Sequence, residues 1–387
     1  IALGLVLAMG LTMFAGCGGG GDKDAAKADG DAAANGAAIK IGGTGPLTGG
    51  ASIYGIAVKQ GAEIAVEEVN AEGGLQFELK MEDDAHDAEK AVNAYNTLKD
   101  WGMQISLSSV TSTPAIATST ENNNDRIFGL TPSGSAPKVT EGKDNVYQMC
   151  FSDPNQGTAS AQYIADNNLG TKVAVIYDSS SVYSSGIEAT FVEEAQNKGL
   201  EVVAEEAFTA DSQTDFSTQL QKAQSAGADL VFLPIYYTEA SIILTQANGM
   251  GYEPAFFGVD GMDGILGVEN FDTSLAEGVM LLTPFAADAD DEKTKAFVST
   301  FKEKYGDVPN QFAADAYDAI YVIKAAIEQA GATPDMSASD LGTALTGAMT
   351  SISVDGLTGE GMTWQATGEV SKAPKAVVIK DGAYAAM

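Results

Sequence analysis

Hydrophobic and polar residues from Ala38 onward follow a repeating order of short strand, polar turn and helix. The first strand is predicted at 39–41, a helix at 54–70 and a second strand at 77–82. Within 54–70 the apolar residues recur close to the helical period. Short strands that alternate with helices predict an α/β fold built on parallel sheets.

The same order starts again at residue 172, where 172–177 form a nearly continuous apolar run. Such a run is typical of a parallel strand that is buried on both faces. Two successive series of this kind predict two doubly wound, parallel-sheet lobes. Further elements follow both series and must return to complete them: helices at 292–305, 311–330 and 339–349, and strands near 362–364 and 376–379.

The order of these elements predicts lobes that are discontinuous in sequence. The chain would then cross between the lobes several times, and such crossings behave as a hinge. We predict an N-terminal lobe and a C-terminal lobe with these bounds: 38–153 plus 285–352, and 154–284 plus 353–387.

Residues 105–135 contain two hydroxyl-rich turns, each placed after a predicted strand. The first turn covers 108–113. The second covers 131–135 and follows a short strand predicted at 126–128. Both turns would lie at the carboxyl ends of neighbouring parallel strands, where open α/β sheets bind ligands. Free backbone N–H groups and hydroxyls gathered there form a cradle for a small anion.

Ser112 and Ser135 are the hydroxyls of these turns that we expect to bind a ligand. Taken alone, each serine is better explained as a simple helix cap, and Thr113 before Pro114 is predicted to begin a helix in this way. Their joint position at adjacent strand ends favours a ligand. We predict that the cradle holds the carboxylate of an amino acid.

Charge and composition narrow the classes of ligand. The 387 residues include 21 basic and 53 acidic side chains, a net charge of −32, which repels nucleic acid and anionic lipid. Arg126 is the only arginine, so a bound carboxylate must be held by dipoles and hydroxyls. With His86 as the one histidine and Cys17 and Cys150 as the two cysteines, the sequence predicts neither a zinc site nor a disulfide framework.

The composition of the first residues predicts a secretion signal. Residues 1–16 are almost wholly apolar or small, too short a run to span a bilayer, and match the hydrophobic region of a signal peptide. Residues 14–17, Phe-Ala-Gly-Cys, resemble the lipobox of bacterial lipoproteins, which implies a lipid anchor on Cys17 at the outer face of the cell membrane. An ordinary secretory signal followed by a chance cysteine is the alternative. Residues 17–37 are then a flexible tether.

Three further features bear on cofactor binding and catalysis. Gly43 and Gly45 fit a dinucleotide fingerprint, but Thr48 stands where its third glycine is required. Residues 82–84, Glu-Asp-Asp, fit either a hard cation or a solvated strand end, and both interpretations stay open. His86 has no second ligand nearby, and no nucleophile–base pair is evident. We expect no cofactor and no enzymatic activity.

The second series of elements offers three candidate contacts. Asp260 follows a strand predicted at 255–259, where a carboxylate is well placed for a ligand ammonium, although turn aspartates are common. Tyr183 and Tyr236 follow strands of the same series. Their rings are placed to enclose a cation or an apolar side chain, or simply to pack.

Several of these stretches together resemble the bacterial leucine/isoleucine/valine-binding proteins, which are type I periplasmic binding proteins of branched-chain amino acid ABC transporters. The resemblance runs from about residue 39 to the C-terminus. Its motifs are 41–48 (IGGTGPLT), Tyr54-Gly55, Gly61-Ala62 with 70–74 (NAEGG), 82–84 (EDD), 110–114 (VTSTP), 131–133 (TPS) and 314–318 (ADAYD).

Carried over by position, the resemblance assigns roles to four residues of the first lobe. Ser112 and Ser135 match the hydroxyls that bind the ligand carboxylate, and Ser133 matches a backbone contact. Tyr54 matches a residue that lines the side-chain pocket. The first-lobe disulfide of family members has no counterpart here.

In the second lobe the resemblance makes Tyr183 and Tyr236 the aromatic contacts and Asp260 the partner of the α-ammonium. Family members usually have the longer glutamate at that position. The implied function is capture of a branched-chain or other apolar amino acid by hinge closure, followed by delivery to a membrane permease. A monomer is expected. A ligand-sensing protein on the same fold, for another small carboxylate or amide, is the alternative.

Overall fold

The computed structural model of the chain describes residues 37–387, so the predicted signal peptide, Cys17 and the tether up to residue 36 lie outside the described residues. Within 37–387 no helix is long and apolar enough to cross a membrane. Two sheets, each covered by helices, form the body of the structure. This arrangement confirms the predicted α/β fold with two parallel-sheet lobes.

The first sheet has five parallel strands in the order β2-β1-β3-β4-β5. Its strands are β1 (Ile39–Gly45), β2 (Phe77–Asp83), β3 (Ile105–Ser106), β4 (Phe128–Thr131) and β5 (Val146–Gln148). The strand order reverses direction between β1 and β3. Ligands bind beyond the carboxyl ends of the strands at such a switch point.

The second sheet has seven strands in the order β7-β6-β8-β9-β10-β11-β12, and only its last two strand pairs are antiparallel. The strands are β6 (Lys172–Asp178), β7 (Glu201–Phe208), β8 (Leu230–Leu233), β9 (Ala255–Gly258), β10 (Met280–Thr283), β11 (Lys375–Lys380) and β12 (Ala383–Ala386). Its switch point lies between β6 and β8. Residues 173–176 are fully buried, as the apolar run predicts.

Ten helices connect and cover the strands within the described residues. They are α1 (Ser52–Glu72), α2 (Ala88–Trp101), α3 (Ser112–Asp125), α4 (Asp153–Asp166), α5 (Val182–Lys198), α6 (Ser217–Ala226), α7 (Tyr237–Gly249), α8 (Glu292–Tyr305), α9 (Gln311–Ala330) and α10 (Ala338–Met349). Side-chain oxygens accept a first-turn N–H at the start of five of them: Asp87 for α2, Ser181 for α5, Asp291 for α8, Asn310 for α9 and Ser337 for α10. These caps fix where each helix begins.

Close helix packing brings the later helices back to the first sheet. At Gly61 in α1, an added Cβ would lie 1.9 Å from the carbonyl oxygen of Ala313 in α9, so only glycine permits this approach. At Gly342 in α10, an added Cβ would lie 2.3 Å from the carbonyl oxygen of Arg126, just before β4. The chain therefore leaves the first lobe after β5 and returns to it with α8–α10.

The segment 353–370 departs from the predicted division, which placed it in the C-terminal lobe. Trp364 Nε1 donates to the carbonyl oxygen of Gln148 at 2.9 Å, and Gln148 N donates to the carbonyl oxygen of Gly368 at 2.9 Å. These bonds place the segment beside β5, at the edge of the first sheet. The chain returns to the second sheet only with β11.

A buried ion pair stabilises the last crossing of the chain, from the segment 353–370 to β11. Lys372 Nζ lies 2.6 Å from Asp315 Oδ1 in α9, and the two side chains are 0% and 2% exposed. Lys372 also donates to Thr358 Oγ1 at 2.6 Å, while Asp318 accepts from Thr358 N at 2.8 Å. Every charge in the group therefore has a partner, which is the condition for burying charge without a large penalty.

Two local predictions around the hydroxyl-rich turns are wrong. The helix α3 begins at Ser112, with Thr111 as its N-cap, and not at Pro114 with Thr113 as predicted. Proline is accepted at any position of the first turn, because the N–H groups there have no partner within the helix. The strand β4 begins at Phe128 instead of 126. Arg126 ends α3 in the left-handed conformation, with φ 58°, which no strand residue adopts.

Candidate functional site

One cavity lies between the lobes, beyond the carboxyl ends of strands from both sheets. In this closed arrangement the space that a water-sized molecule can enter is only about 10 Å³. All seven residues predicted from sequence line it: Tyr54, Ser112, Ser133, Ser135, Tyr183, Tyr236 and Asp260. The structure thus brings them together at one place, while their contact with a ligand stays a prediction.

Four lining residues were not singled out from the sequence: Val110, Thr111, Gly261 and Phe312. Val110 and Thr111 belong to the predicted first turn, and Gly261 follows Asp260. Phe312 lies in the first turn of α9, far along the chain. Its apolar character signals only burial, so no local pattern distinguishes it from a core residue.

The two hydroxyl-rich loops of the first lobe hold each other in place. Ser133 Oγ donates to the carbonyl oxygen of Val110 at 2.6 Å, and Thr131 Oγ1 donates to that of Ser109 at 2.7 Å. In the other direction, Ala136 N donates to Ser112 Oγ at 3.2 Å. These bonds fix the loops, so that polar groups face the cavity without further reorganisation.

Donors for an anion are available on this side of the cavity. Ser112 begins α3, and the cap residue Thr111 makes no side-chain bond to the helix. The first N–H groups of the helix are therefore not satisfied by a cap and carry the partial positive charge of a helix N-terminus. Ser135 Oγ is buried and has no hydrogen-bond partner within residues 37–387.

Tyr54 spans the two lobes from the first turn of α1. Its hydroxyl donates to the carbonyl oxygen of Gly261 and accepts from Tyr237 N at 3.3 Å, both in the second lobe. Its ring packs 4.5 Å from Phe312 and 4.7 Å from Tyr237, centroid to centroid. The lobes are therefore in direct contact at the cavity, which corresponds to a closed arrangement.

Asp260 and Tyr183 form the polar side of the second lobe. Ser181 caps α5, so that Tyr183 falls in its first turn and donates to Asp260 Oδ1 at 2.5 Å. Gly261 N donates to the same tyrosine oxygen at 2.9 Å. The ring of Tyr236 lies 4.9 Å from that of Tyr183. Together these groups orient one carboxylate toward the cavity.

The electrostatics of Asp260 follow from its burial. The residue is 4% exposed, and loss of hydration raises the pKa of its carboxyl to about 7, while bonds from Tyr183 and its surroundings oppose the shift. Because no lysine, arginine or histidine lines the cavity within residues 37–387, this charge lacks a cationic partner there. A cationic group of a ligand would complete the pair.

The remaining candidates lie at the mouth of the cleft or outside it. His86 is exposed, its Nδ1 lies 2.7 Å from Thr111 Oγ1, and its ring meets Tyr236 edge-on at 5.6 Å. Asp83 accepts from Leu47 N at 2.8 Å and so fixes the turn after β1. No cluster of three or more histidine, cysteine, aspartate or glutamate side chains suited to a metal occurs in the described part of the chain.

Comparison with known proteins places this geometry in a family. The family model described as periplasmic binding protein matches residues 38–383. The Leu/Ile/Val-binding protein homolog 3 of Brucella melitensis is 32% identical over 311 residues, covering 78% of this chain and 81% of that protein. The leucine-, isoleucine-, valine-, threonine- and alanine-binding protein of Pseudomonas aeruginosa is 30% identical over 308 residues, covering 78% and 82%.

A solved structure supports the same family. The branched-chain amino acid transporter substrate-binding protein LivJ of Streptococcus pneumoniae, in complex with isoleucine, superposes with a TM-score of 0.81 at 27% identity, covering 90% of this chain and 98% of that one. The match extends over both lobes and the segments that cross between them. The chain therefore belongs to the periplasmic binding protein family, within the group of the Leu/Ile/Val-binding proteins.

Proposed function

We propose that this protein binds an amino acid with an apolar side chain between its two lobes and delivers it to the membrane permease of an ABC transporter. The observation that carries the proposal is the meeting, in one cavity, of uncharged donors from the first lobe and a buried acid from the second. The names of two relatives support it: one is a Leu/Ile/Val-binding protein homolog, and the other a leucine-, isoleucine-, valine-, threonine- and alanine-binding protein.

The carboxylate of the ligand binds to the first lobe. Its two oxygens accept hydrogen bonds from the hydroxyls of Ser112 and Ser135 and from the free N–H groups at the start of α3. The loop that carries Ser133 encloses the carboxylate. Charge-assisted hydrogen bonds of this kind compensate the hydration that a carboxylate loses on burial. No arginine is required.

The ammonium of the ligand binds to the second lobe. Asp260 accepts from it, while Tyr183 and Tyr236 cover it with aromatic rings. Neutralising both charges of the zwitterion makes its burial tolerable, because an isolated buried charge is strongly unfavourable. The apolar side chain then contacts Tyr54, Val110 and Phe312.

Each half of the ligand thus contacts a different lobe, so binding favours the closed arrangement. A ligand shifts the open–closed equilibrium by its preference for one form. The closed form is what the permease recognises. We propose lobes of 38–153 plus 285–370 and 154–284 plus 371–387, and the hydrogen bonds between Gln148 and the segment 364–368 support this division.

We also propose that the protein acts as a monomer, anchored through a lipid on Cys17 at the outer face of the cell membrane. Mass spectrometry of the protein from membranes of an expressing bacterium tests the anchor. A mature N-terminus at Cys17 without added acyl chains would refute it.

Calorimetric titration tests the binding function. We expect at least one of L-leucine, L-isoleucine and L-valine to bind, and leucinamide, which lacks the carboxylate, not to bind. If leucinamide binds as tightly as leucine, the carboxylate cradle is wrong. If none of the apolar amino acids binds or raises the melting temperature, the proposed ligand class is wrong.

A further inference from the structure

The turn that carries Asp260 is bonded to the start of a helix from the other lobe. The turn covers 260–263 and follows β9 of the second sheet. The helix is α9, which packs against α1 beside the first sheet. Gln311 is the first residue of α9, is 1% exposed, and has no role in the site described so far.

Gln311 holds this turn at both of its ends. Its Nε2 atom donates to the carbonyl oxygen of Asp260 at 2.8 Å, and its backbone N–H donates to Asp263 Oδ2 at 2.9 Å. Within the turn, the N–H of Asp263 donates to the same carbonyl oxygen of Asp260 at 2.9 Å. A residue of the first lobe therefore fixes the main chain of the second lobe at the acid that faces the cavity.

The main chain of Asp260 is bonded from both lobes. Its N–H donates to Gln156 Oε1 of α4 at 3.3 Å, a contact that stays within the second lobe. Its carbonyl oxygen accepts from Gln311 across the cleft. The carbonyl oxygen of the next residue, Gly261, accepts from the hydroxyl of Tyr54, also across the cleft. Two successive carbonyl groups of the turn therefore lose a partner when the lobes separate.

The start of α9 leaves the side chain of Gln311 free for this contact. Asn310 caps the helix, because its Oδ1 accepts from the N–H of Ala313 at 3.2 Å. The carboxylate of Asp263, a residue that is 4% exposed, lies at the N-terminal end of the helix. The partial positive charge at that end favours a negative group. The contact between the turn and the helix is therefore favourable in charge as well as in hydrogen bonding.

The neighbouring residue extends the contact to the cavity. Phe312 follows Gln311 in the first turn of α9 and lines the cavity, with its ring centroid 4.5 Å from that of Tyr54. One helical turn thus supplies an apolar wall of the cavity and the donors that hold the main chain of Asp260. Docking of the turn 260–263 on α9 sets the position of both at the same time.

We propose that Gln311 is a positioning residue of the ligand site, which binds the turn 260–263 when the lobes close and holds the Asp260 carboxylate toward the ligand ammonium. The inference rests on the proposed function and deepens it, because it names a contact that couples closure to the acid. In the open form the Gln311 amide bonds to water instead. The contact therefore stabilises the closed form alone, and its loss should speed the escape of the ligand without slowing its entry.

Gln311→Met tests the proposal, because methionine has a similar length and no hydrogen-bond donor in its side chain. Gln329→Met is the matched control: it makes the same change near the other end of α9, where the side chain is exposed. The probe is whichever of L-leucine, L-isoleucine and L-valine binds the unsubstituted protein most tightly. Calorimetry measures its affinity, stopped-flow fluorescence measures its association and dissociation rates, and urea unfolding without ligand measures the stability of the protein.

We expect Gln311→Met to weaken binding by about three- to tenfold, as for the loss of one neutral hydrogen bond. The dissociation rate should rise by the same factor. The association rate and the urea midpoint without ligand should stay unchanged, because the contact is absent from the open form. Gln329→Met should leave all four quantities unchanged.

Unchanged affinity and dissociation rate in Gln311→Met would overturn the proposal. A lower urea midpoint without ligand would overturn it too, since Gln311 would then support the fold in the open form as well. A loss confined to the association rate would place the residue at ligand entry and not at closure, contrary to the proposal. These results leave the proposed function intact, because the unsubstituted protein still binds an amino acid. If the unsubstituted protein binds none of the three amino acids, the proposed function is refuted, and the positioning role with it.

Discussion

Replacing Asp260 by asparagine should separate its role in binding from its effect on stability. Asparagine keeps an oxygen that accepts from Tyr183 and leaves the size of the side chain nearly unchanged. It removes the negative charge that faces the cavity. A ligand ammonium buried without this partner should lose about 2–4 kcal/mol of binding free energy, or roughly thirty- to a thousandfold in affinity.

The pKa of about 7 makes this loss depend on pH. Binding of an ammonium requires the ionised carboxylate, so affinity should be highest above pH 7 and fall as the carboxyl takes up a proton below it. Between pH 7 and pH 5 the ionised fraction drops by about fiftyfold, and the affinity of the unsubstituted protein should drop with it. The difference between the unsubstituted protein and Asp260→Asn should therefore shrink toward pH 5.

The same shift predicts the opposite effect on stability. The pKa of the carboxyl is about 7 in the folded protein and about 3.9 in the unfolded chain. Folding at high pH must therefore bury a charge that the unfolded chain keeps in water, at a cost of up to about 4 kcal/mol above pH 7 that vanishes below pH 4. Without ligand, Asp260→Asn should be more stable than the unsubstituted protein at pH 8 and equally stable near pH 4.

Calorimetric titration at pH 5, 7 and 8 measures the first effect, and urea unfolding without ligand measures the second. Asp211→Asn, an exposed acid of the second lobe, is the control and should change neither quantity. Near-unchanged affinity of Asp260→Asn at pH 8 would remove this residue from the site. A variant that loses both affinity and stability at pH 8 would show that Asp260 mainly holds the loop in place.

Four further substitutions test the first lobe and its connections. Ser112→Ala should weaken amino acid binding by about 1–3 kcal/mol in a calorimetric titration, because a buried anion loses a donor. Tyr54→Phe removes the hydroxyl that joins the lobes, so the free energy of closure should become less favourable by about 1 kcal/mol. Solution scattering should then show a smaller closed fraction. Lys372→Met leaves Asp315 buried without its cation and should lower the free energy of unfolding by about 3–5 kcal/mol in urea. Gly61→Ala forces α1 away from α9 and should cost about 1–3 kcal/mol in the same assay.

Where local signals agree, the sequence is sufficient to predict an element. The helices α8 and α9 run from Glu292 to Tyr305 and from Gln311 to Ala330, at the residues that the apolar pattern predicts. In each case the residue before the helix caps it through its side chain, and a glycine in the left-handed conformation ends it. Periodicity, cap and terminator point to the same boundaries, so nothing in the tertiary structure has to override them.

Elements held by distant partners could not be predicted in this way. The strand β3 has only two residues, because its neighbours on both sides and not its own composition define it. Residues 353–370 carry weak strand signals whose partner is Gln148, more than two hundred positions earlier. Phe312 reaches the cavity only because α9 packs against α1. Local patterns carry no information about such pairings.

Candidate site residues were more predictable than some of the elements that carry them. Ser112 and Ser135 were chosen as polar residues at the ends of adjacent parallel strands, and this argument depends on topology and not on the start of α3. The helix begins two residues earlier than predicted, yet Ser112 still lines the cavity.

In the proposed binding mode, neutral donors hold the carboxylate and an acid that ionises reluctantly holds the ammonium. This choice of groups has a consequence for release of the ligand. An arginine in the first lobe would bind the carboxylate strongly even when the lobes are open, and the ligand would then stay on one lobe after separation. Neutral hydroxyls and helix N–H groups act strongly only where water is excluded, which requires closure. When the permease separates the lobes, Asp260 regains water or a proton, and each half of the site weakens at the same time. Tight capture in the closed form and rapid release in the open form therefore follow from the same choice of residues.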